Sequence, residues 1–373
     1  MASGTLLPSP WQYAYDANGD PVPGAKASFT AAGTSTPINT YADVALTIPN
    51  ANPVIADSAG IYGPIYLTPG LSYKLTLTTS ADVLIRTQDN IPAPLSSLTT
   101  LARTDGRLTL LSGTPVPPTD VTAATTVYYT PYVGNQIDLY AAGVWQPVVF
   151  VETALALGTL TATTCYDVFG YAASGALALE KLAWTTATTR ATAVVYQEGR
   201  AIKAGDPTRH YLGTFYPTST TTTADSLTKR FLYNGYHRRR RPFLRQEATA
   251  TWTYTTATIR QANANAANQV ECVVGAWESP IHIQLAADAR NTNALVSVAV
   301  LIGEDATTAG AAEQVRHLLS TPAANVTIPM TATLIKLPTI GYHKYTWLEY
   351  SEATGTTTWA GAAPAGMTGW VEG

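Results

Sequence analysis

The sequence predicts a mainly β protein: a small N-terminal β domain followed by two β-rich, sandwich- or jelly-roll-like domains with few short helices. Three observations carry that reading. Apolar and polar residues alternate at period two over many short runs, and Thr, Val, Ile and Tyr dominate those runs. Charged residues make up only 13% of the 373, about half of the roughly 25% usual for soluble domains. Solubility then rests on hydroxyls and backbone, which suits sheet surfaces better than helical ones.

The elements follow in order. "AYDANGDPVPGAKASF" reads as strand, turn, strand, with Asn18 and Gly19 suited to positive φ. Residues 16–20 begin like a calcium loop, but Pro21 stands where a glycine is needed and no distal glutamate follows, so a hairpin turn is the reading. "ANPVIADSAGIYGPIYL" places Pro53 and Pro64 at strand starts, where a missing N–H is harmless. In "SYKLTLTTSADVLIRTQD", Tyr73, Leu75 and Leu77 alternate with polar neighbours and "TSAD" leads into a second run, a hairpin with one wet face. Similar alternation recurs in "TVYYTPYVGNQIDLYAAGVWQPVVF", "TATWTYTTATIRQ", "PIHIQLAADA" and "ALVSVAVLIG". Two helices are expected: "DSLTKRFLYNGYH", with Asp225 as N-cap and Gly235 near its end, and "AGAAEQVRHLLS", with an apolar stripe. Pro-, Ser- and Thr-rich stretches, "IPAPLSSLTT" and "SGTPVPPTD", suggest a linker over 93–120. That leaves a first domain at 1–92, a middle domain at 121–236 and a C-terminal domain at 237–373. No internal repeat of solenoid or propeller length is visible.

Composition narrows the function. The 46% hydrophobic content excludes wholesale disorder. Formal net charge is −3, and without "RRRR" at 238–241 it becomes −7, with 18 basic residues against 25 acidic. A general nucleic-acid binder is therefore not expected. Cys165 and Cys272 each lie in an apolar run and read as free, buried thiols rather than a disulfide. The N-terminus lacks a basic region followed by an apolar stretch, so no signal peptide is expected, and no apolar run is long enough for a membrane helix.

The segment from Val22 to Leu77 closely resembles the N-terminal virion-attachment module of bacteriophage tail fibres, tailspikes and related appendage proteins. The match is an ordered set: Gly24, Ala25 and Lys26; Gly33, Thr34 and Pro37; Tyr41 and Asp43; Leu46; Asn52, Pro53 and Val54; Ala56, Asp57 and Gly60; then Pro64, Ile65, Tyr66, Leu67, Gly70 and Tyr73. It covers roughly the first quarter of the chain. Later phrases, among them "CYDVFGY", "TKRFLYNGYHR" and "IPMTATLIKLPTIGYHKY", resemble the bodies of phage structural proteins more loosely. The resemblance implies a head or tail fibre, or collar-type appendage. It would be assembled in the bacterial cytoplasm into the virion as a homotrimer, docked on other phage virion proteins such as a tail adaptor, portal-proximal or capsid protein, and involved in host attachment. A capsid or tail decoration protein and a carbohydrate-binding or depolymerase tailspike are the alternatives.

Residues with chemical potential were weighed against plainer roles. The five histidines are scattered without metal-ligand spacing, neither a Gly-x-Ser-x-Gly elbow nor a phosphate loop occurs, and no cofactor or metal is expected. Glu271, Glu278, Asp288 and Glu304 cannot be paired into the two carboxylates of a glycosidase from sequence, so an enzyme is not the reading. Trp252, Tyr254, Trp277, Trp347, Tyr350 and Trp359 are candidates for stacking on host-surface glycans, with core or intersubunit packing as the favoured alternative. Arg238, Arg239, Arg240 and Arg241 read as a partner-docking clamp ahead of a solvated charge run or a DNA contact. Pro242 favours an extended Arg241, so that neighbouring guanidinium groups point to opposite sides.

Overall fold

The computed structural model describes residues 5–6, 12–93, 102–276, 280–362 and 365–373. It is β throughout: among the described residues the helical content is one 3₁₀ turn, Ala262–Ala264. Strand pairing is antiparallel except where Lys229 and Arg230 lie parallel to Glu271 and Cys272. The chain divides into two compact units, Met1–Leu101 and Ala102–Gly373.

The first unit is built on a four-stranded sheet, in the order Val54–Ile55, Lys26–Ala31, Ser72–Thr78, Leu84–Pro92. Period-two alternation puts Ala27 and Phe29 inside with Tyr73, whose ring meets that of Phe29 edge-on at 6.4 Å. The expected hairpin is present, Thr76 facing Thr87 across it. Residues 16–20 form the expected turn: the Asp16 carboxylate accepts the N–H groups of Asn18 and Asp20 at 2.8 and 3.0 Å. Gly60 has a conformational reason, since its φ is +74° and a Cβ there would sit 3.1 Å from the Val22 nitrogen.

The second unit departs from the expected division at 236/237. One of its sheets is eight-stranded and joins Val121–Ala124, Thr223–Asp225 and Lys229–Arg230 to Gln269–Val274, Gly341–Ser351, Ser297–Glu304 and Leu318–Ser320, with Arg260–Gln261 beside Gly341–Ser351. Both expected domains thus contribute to one sheet. Another runs Arg240–Gln246, Gly366–Glu372, Ile281–Asn291, Ile328–Lys336, Val315–Arg316, with Thr357–Ala360 and Thr251–Tyr254 attached. These two sheets bury a shared core containing Ile283, Leu285, Val298, Val300, Tyr345 and Trp347. A second core gathers Leu108, Val127, Tyr129, Ile137, Val168 and Phe215. The expected linker does not extend to 120: residues 94–101 lie outside the described set, whereas Gly106–Thr109 is a fully buried strand.

Both expected helices are strands. Residues 225–237 include Lys229–Arg230 and Leu232–Asn234, and Phe231, Leu232 and Tyr233 are buried in succession. A one-sided helical stripe cannot bury three consecutive side chains, and Asp225 spends its carboxylate on arginines instead of a helix cap. Residues 309–320 contain Val315–Arg316 and Leu318–Ser320. There the Gln314 side chain imitates a strand partner, accepting from the Ile302 N–H at 2.9 Å and donating to the Ile302 carbonyl at 3.3 Å.

Candidate functional site

In the first unit, the residues of the ordered motif shape the backbone. The Asn52 amide accepts from the Phe29 N–H at 2.9 Å and donates to the Phe29 carbonyl at 2.6 Å, tying a loop to the central strand. Asp43 accepts from the Ile48 and Thr47 N–H groups and the Thr47 hydroxyl; the Ile48 N–H chiefly holds its carboxyl below the usual range. Asp57 brackets the next turn through the N–H groups of Ala59 and Ile61. Half-buried Tyr41 exchanges backbone hydrogen bonds with Tyr66 at 2.9 and 2.7 Å. Thr34 donates its hydroxyl to the Ala31 carbonyl, Pro37 bridges to Thr30, and the Pro64 carbonyl accepts from Asn50. Gly24, Gly33 and Gly70 occupy turns at positive φ, and the Gly33 N–H is taken by Asp89. The motif residues specify a surface shape, with no cluster of reactive groups among them.

The last two arginines of the run open Arg240–Gln246, where faces alternate, Arg240 out, Arg241 in, Pro242 out, Phe243 in, whereas Arg239 is exposed like Arg240. The buried Arg241 donates to Asp225 at 2.8 Å, and Arg230 donates to the other oxygen of the same carboxylate at 2.7 Å. Arg230 also reaches the Pro242 carbonyl, and Arg241 the Pro117 carbonyl. Arg107 lies buried nearby, donating to the backbone carbonyls of His237 and Gly373. Burial, and then the Arg241 charge, lowers its pKa to about 10. Arg239 donates to the Tyr132 hydroxyl and lies over that ring; Arg238 donates to the Tyr233 hydroxyl at 3.0 Å. Arg240, with a side chain 68% exposed, rests over Trp370 at 4.3 Å and stands 3.8 Å from Glu372. The four are thus engaged within the chain, and Arg239 and Arg240 are the two that remain exposed.

Four of the expected glycan-stacking aromatics, Trp252, Tyr254, Trp347 and Trp359, are interior, which corrects that reading for them, and Tyr350 is half-buried. Trp347 and Trp359 are fully buried, and Trp252 and Tyr254 nearly so. Trp252 packs edge-on against Trp347 at 6.0 Å and donates its indole N–H to Glu349 at 2.6 Å, while Tyr254 is covered by the Arg260 guanidinium at 3.8 Å. Rings packed this way have no face left for a ligand. Trp277 and Glu278 lie outside the described residues. The other candidate carboxylates serve separate partners: Glu304 pairs with Lys336 at 2.7 Å, Glu271 accepts from the Tyr342 hydroxyl at 2.6 Å, and half-buried Asp288 lines a small cavity beside Arg290.

Histidine and cysteine have structural surroundings. His210 is buried between the Asp138 carbonyl and the Tyr236 hydroxyl, and burial lowers its pKa to about 4. Both cysteines are free and buried, and burial raises their thiol pKa values. Among the described residues no three His, Cys, Asp or Glu side chains are grouped to hold a metal ion.

Sequence reasoning missed two cavities of the second unit. The larger, about 350 Å³, is lined by Arg190, Tyr196, Tyr211 and Tyr236. Its charge is already engaged: Arg190 grips Asp167 with two nitrogens and also donates to Tyr211 and the Gly275 carbonyl. The smaller, about 200 Å³, is lined by Tyr216, Ser219, Lys229, Glu271 and Tyr342.

No protein-family model matches the chain, and no curated protein sequence does. Among solved structures it is similar to a Bacillus thuringiensis Cry1Da tryptic core variant, at 6% identity and a TM-score of 0.17. The match covers 67% of this chain and 48% of that one, so the chain spans about half the length of that structure. Likeness at this level carries no argument about fold or function.

Proposed function

We propose that the chain is a structural component of a bacteriophage virion, a fibre- or collar-type appendage that docks through its first unit and projects its second. The observation that carries this reading is the ordered resemblance from Gly24 to Tyr73. In its support, Asn52, Asp43 and Asp57 spend their side chains on holding loops in place, as a module recognised by its shape requires. The second unit, low in charge and strand-rich, suits assembly as a homotrimer, because weakly charged surface is buried at modest desolvation cost. Host attachment is the role the projected unit would serve.

The test fuses residues 1–92 to an unrelated fluorescent trimer and offers it to particles lacking the native protein, with the full-length chain in parallel. Decoration by both is expected. Decoration by the full chain alone overturns the assignment of docking to the first unit, and decoration by neither overturns the virion reading. Copy number relative to the major capsid protein separates an appendage, present in a few sets, from a decoration protein covering the shell.

A further inference from the structure

We propose that the smaller cavity, between Tyr216, Tyr342, Lys229 and Glu271, is a binding site for one unit of a neutral saccharide. Its wall is pre-organised. Tyr216 and Tyr342 stack at 4.2 Å with 20° between their planes, and Phe231 meets both rings edge-on at 5.1 and 5.9 Å. Both tyrosines are half-buried and keep some exposure, unlike the tryptophans of the core. An aromatic plane of this kind accepts the C–H face of a sugar ring.

The polar groups around it are incompletely used. The Glu271 carboxylate accepts from the Tyr342 hydroxyl at 2.6 Å and from the Gln269 amide at 3.1 Å, about half of its roughly four acceptor positions. Lys229 stands directly beside Glu271 in the parallel register, yet the two do not join, and among the described residues the ammonium faces only the Phe231 ring at 5.8 Å. Acceptor and donor thus line one gap, together with Ser219 and Thr163, whose hydroxyls are engaged by Thr222 and the Ala162 carbonyl.

That arrangement selects a class of ligand. An apolar occupant would desolvate both charges without replacing their hydrogen bonds. An anion gains from Lys229 but meets Glu271, and a cation the reverse, so neither profits from both groups. A neutral polyhydroxyl ring donates to the carboxylate, accepts from the ammonium and lays its apolar face on tyrosine. The volume, about 200 Å³, is below the roughly 300–1,000 Å³ of pockets for drug-sized ligands, so one ring at a chain end or branch is the fitting size. The larger cavity carries no such argument because its arginine is already paired.

The test uses the full chain and does not depend on virion attachment. Saturation-transfer NMR is run with methyl α-glucoside, methyl β-galactoside, methyl α-mannoside and N-acetylglucosamine, each at about 5 mM, where weak millimolar complexes are visible. Transfer to at least one sugar is expected, with affinity falling at least about tenfold in Glu271→Gln and in Lys229→Met, while Tyr342→Phe keeps the ring contact and loses less. Thermal melting confirms that each variant is folded; a variant that is not is replaced by Ser219→Trp, which fills the rim. Transfer to none of the four sugars overturns the proposal, as does transfer undiminished in both charge variants. Stronger transfer to sialic acid than to any neutral sugar overturns the neutral class.

Discussion

Replacing Asp225 by Ala removes the one carboxylate that two buried guanidinium groups share. Arg230 and Arg241 have side chains only 5% and 9% exposed, at 2.7 and 2.8 Å from its two oxygens. Without it they face each other, and Arg107, with only Asp120 near enough to Arg230 to be felt. Removing one partner of a buried pair costs about 3–5 kcal/mol. The hydrogen bonds to the Pro242 and Pro117 carbonyls survive, so the two losses do not double and about 4 kcal/mol is expected, within the range for a single pair. Arg241→Ser should cost less, about 1–2 kcal/mol, because Asp225 keeps Arg230 and the repulsion on Arg107 is relieved. The assay is urea unfolding followed by tryptophan fluorescence. It reports on the second unit, because Trp11 is the only one of the eight tryptophans before residue 102. With a urea slope of about 2–3 kcal/mol/M, Asp225→Ala should lower the midpoint by about 1.5 M. Added salt to about 0.5 M should leave that shift in place, since burial limits screening. A shift below about 0.5 M, or one no larger than that of Arg241→Ser, refutes the shared-carboxylate account.

Arg240→Ser should change stability by less than about 0.5 kcal/mol in the same assay, its charge being largely exposed and its ion pair long. In the first unit, Asn52→Ala strands the buried Phe29 N–H, while the Phe29 carbonyl keeps the Ile38 N–H; it should cost about 1–3 kcal/mol, seen by calorimetry as a lowered transition of that unit with the second unchanged. His210 has a folded pKa of about 4 against an ordinary 6.5, so the unfolded chain takes up the proton first as pH falls. Its contribution is complete above about pH 6.5 and is lost progressively toward pH 4, about 3 kcal/mol in all, and His210→Gln should flatten the urea midpoint across that window. Deleting residues 366–373 removes the strand between Arg240–Gln246 and Ile281–Asn291 and should abolish the cooperative transition of the second unit; a retained transition would show the strand to be dispensable.

The β class was legible because small or apolar residues alternate with polar ones along strands such as Ile281–Asn291, where every second side chain is buried. The same rule failed at 225–237, where Phe231, Leu232 and Tyr233 are buried on both faces and read as a helical run. Spacing showed that Trp252 and Tyr254 share a face, but whether that face is core or surface depends on Trp347, Glu349 and Arg260 far along the chain. The extended backbone of Arg241 could be read from Pro242. Its partners could not, because Asp225 and Pro117 lie 16 and 124 residues away. The saccharide cavity is also non-local, drawing Tyr216, Lys229, Glu271 and Tyr342 from separate stretches. No periodicity connects such groups.

Gly366–Glu372 lies between Arg240–Gln246 and Ile281–Asn291, hydrogen-bonded to both. During synthesis, Arg240–Gln246 therefore leaves the ribosome 120 residues ahead of its partner, a wait of roughly 6–24 s at about 5–20 residues per second. For that interval a nascent strand stands with open backbone groups, the condition in which edges join the wrong chain. Its sequence is "RRPFLRQ", and adjacent positive charge with a proline is the composition that discourages premature pairing. The four arginines that settle onto Asp225, Tyr132, Tyr233 and Trp370 in the fold thus also give the waiting strand a composition that disfavours edge pairing.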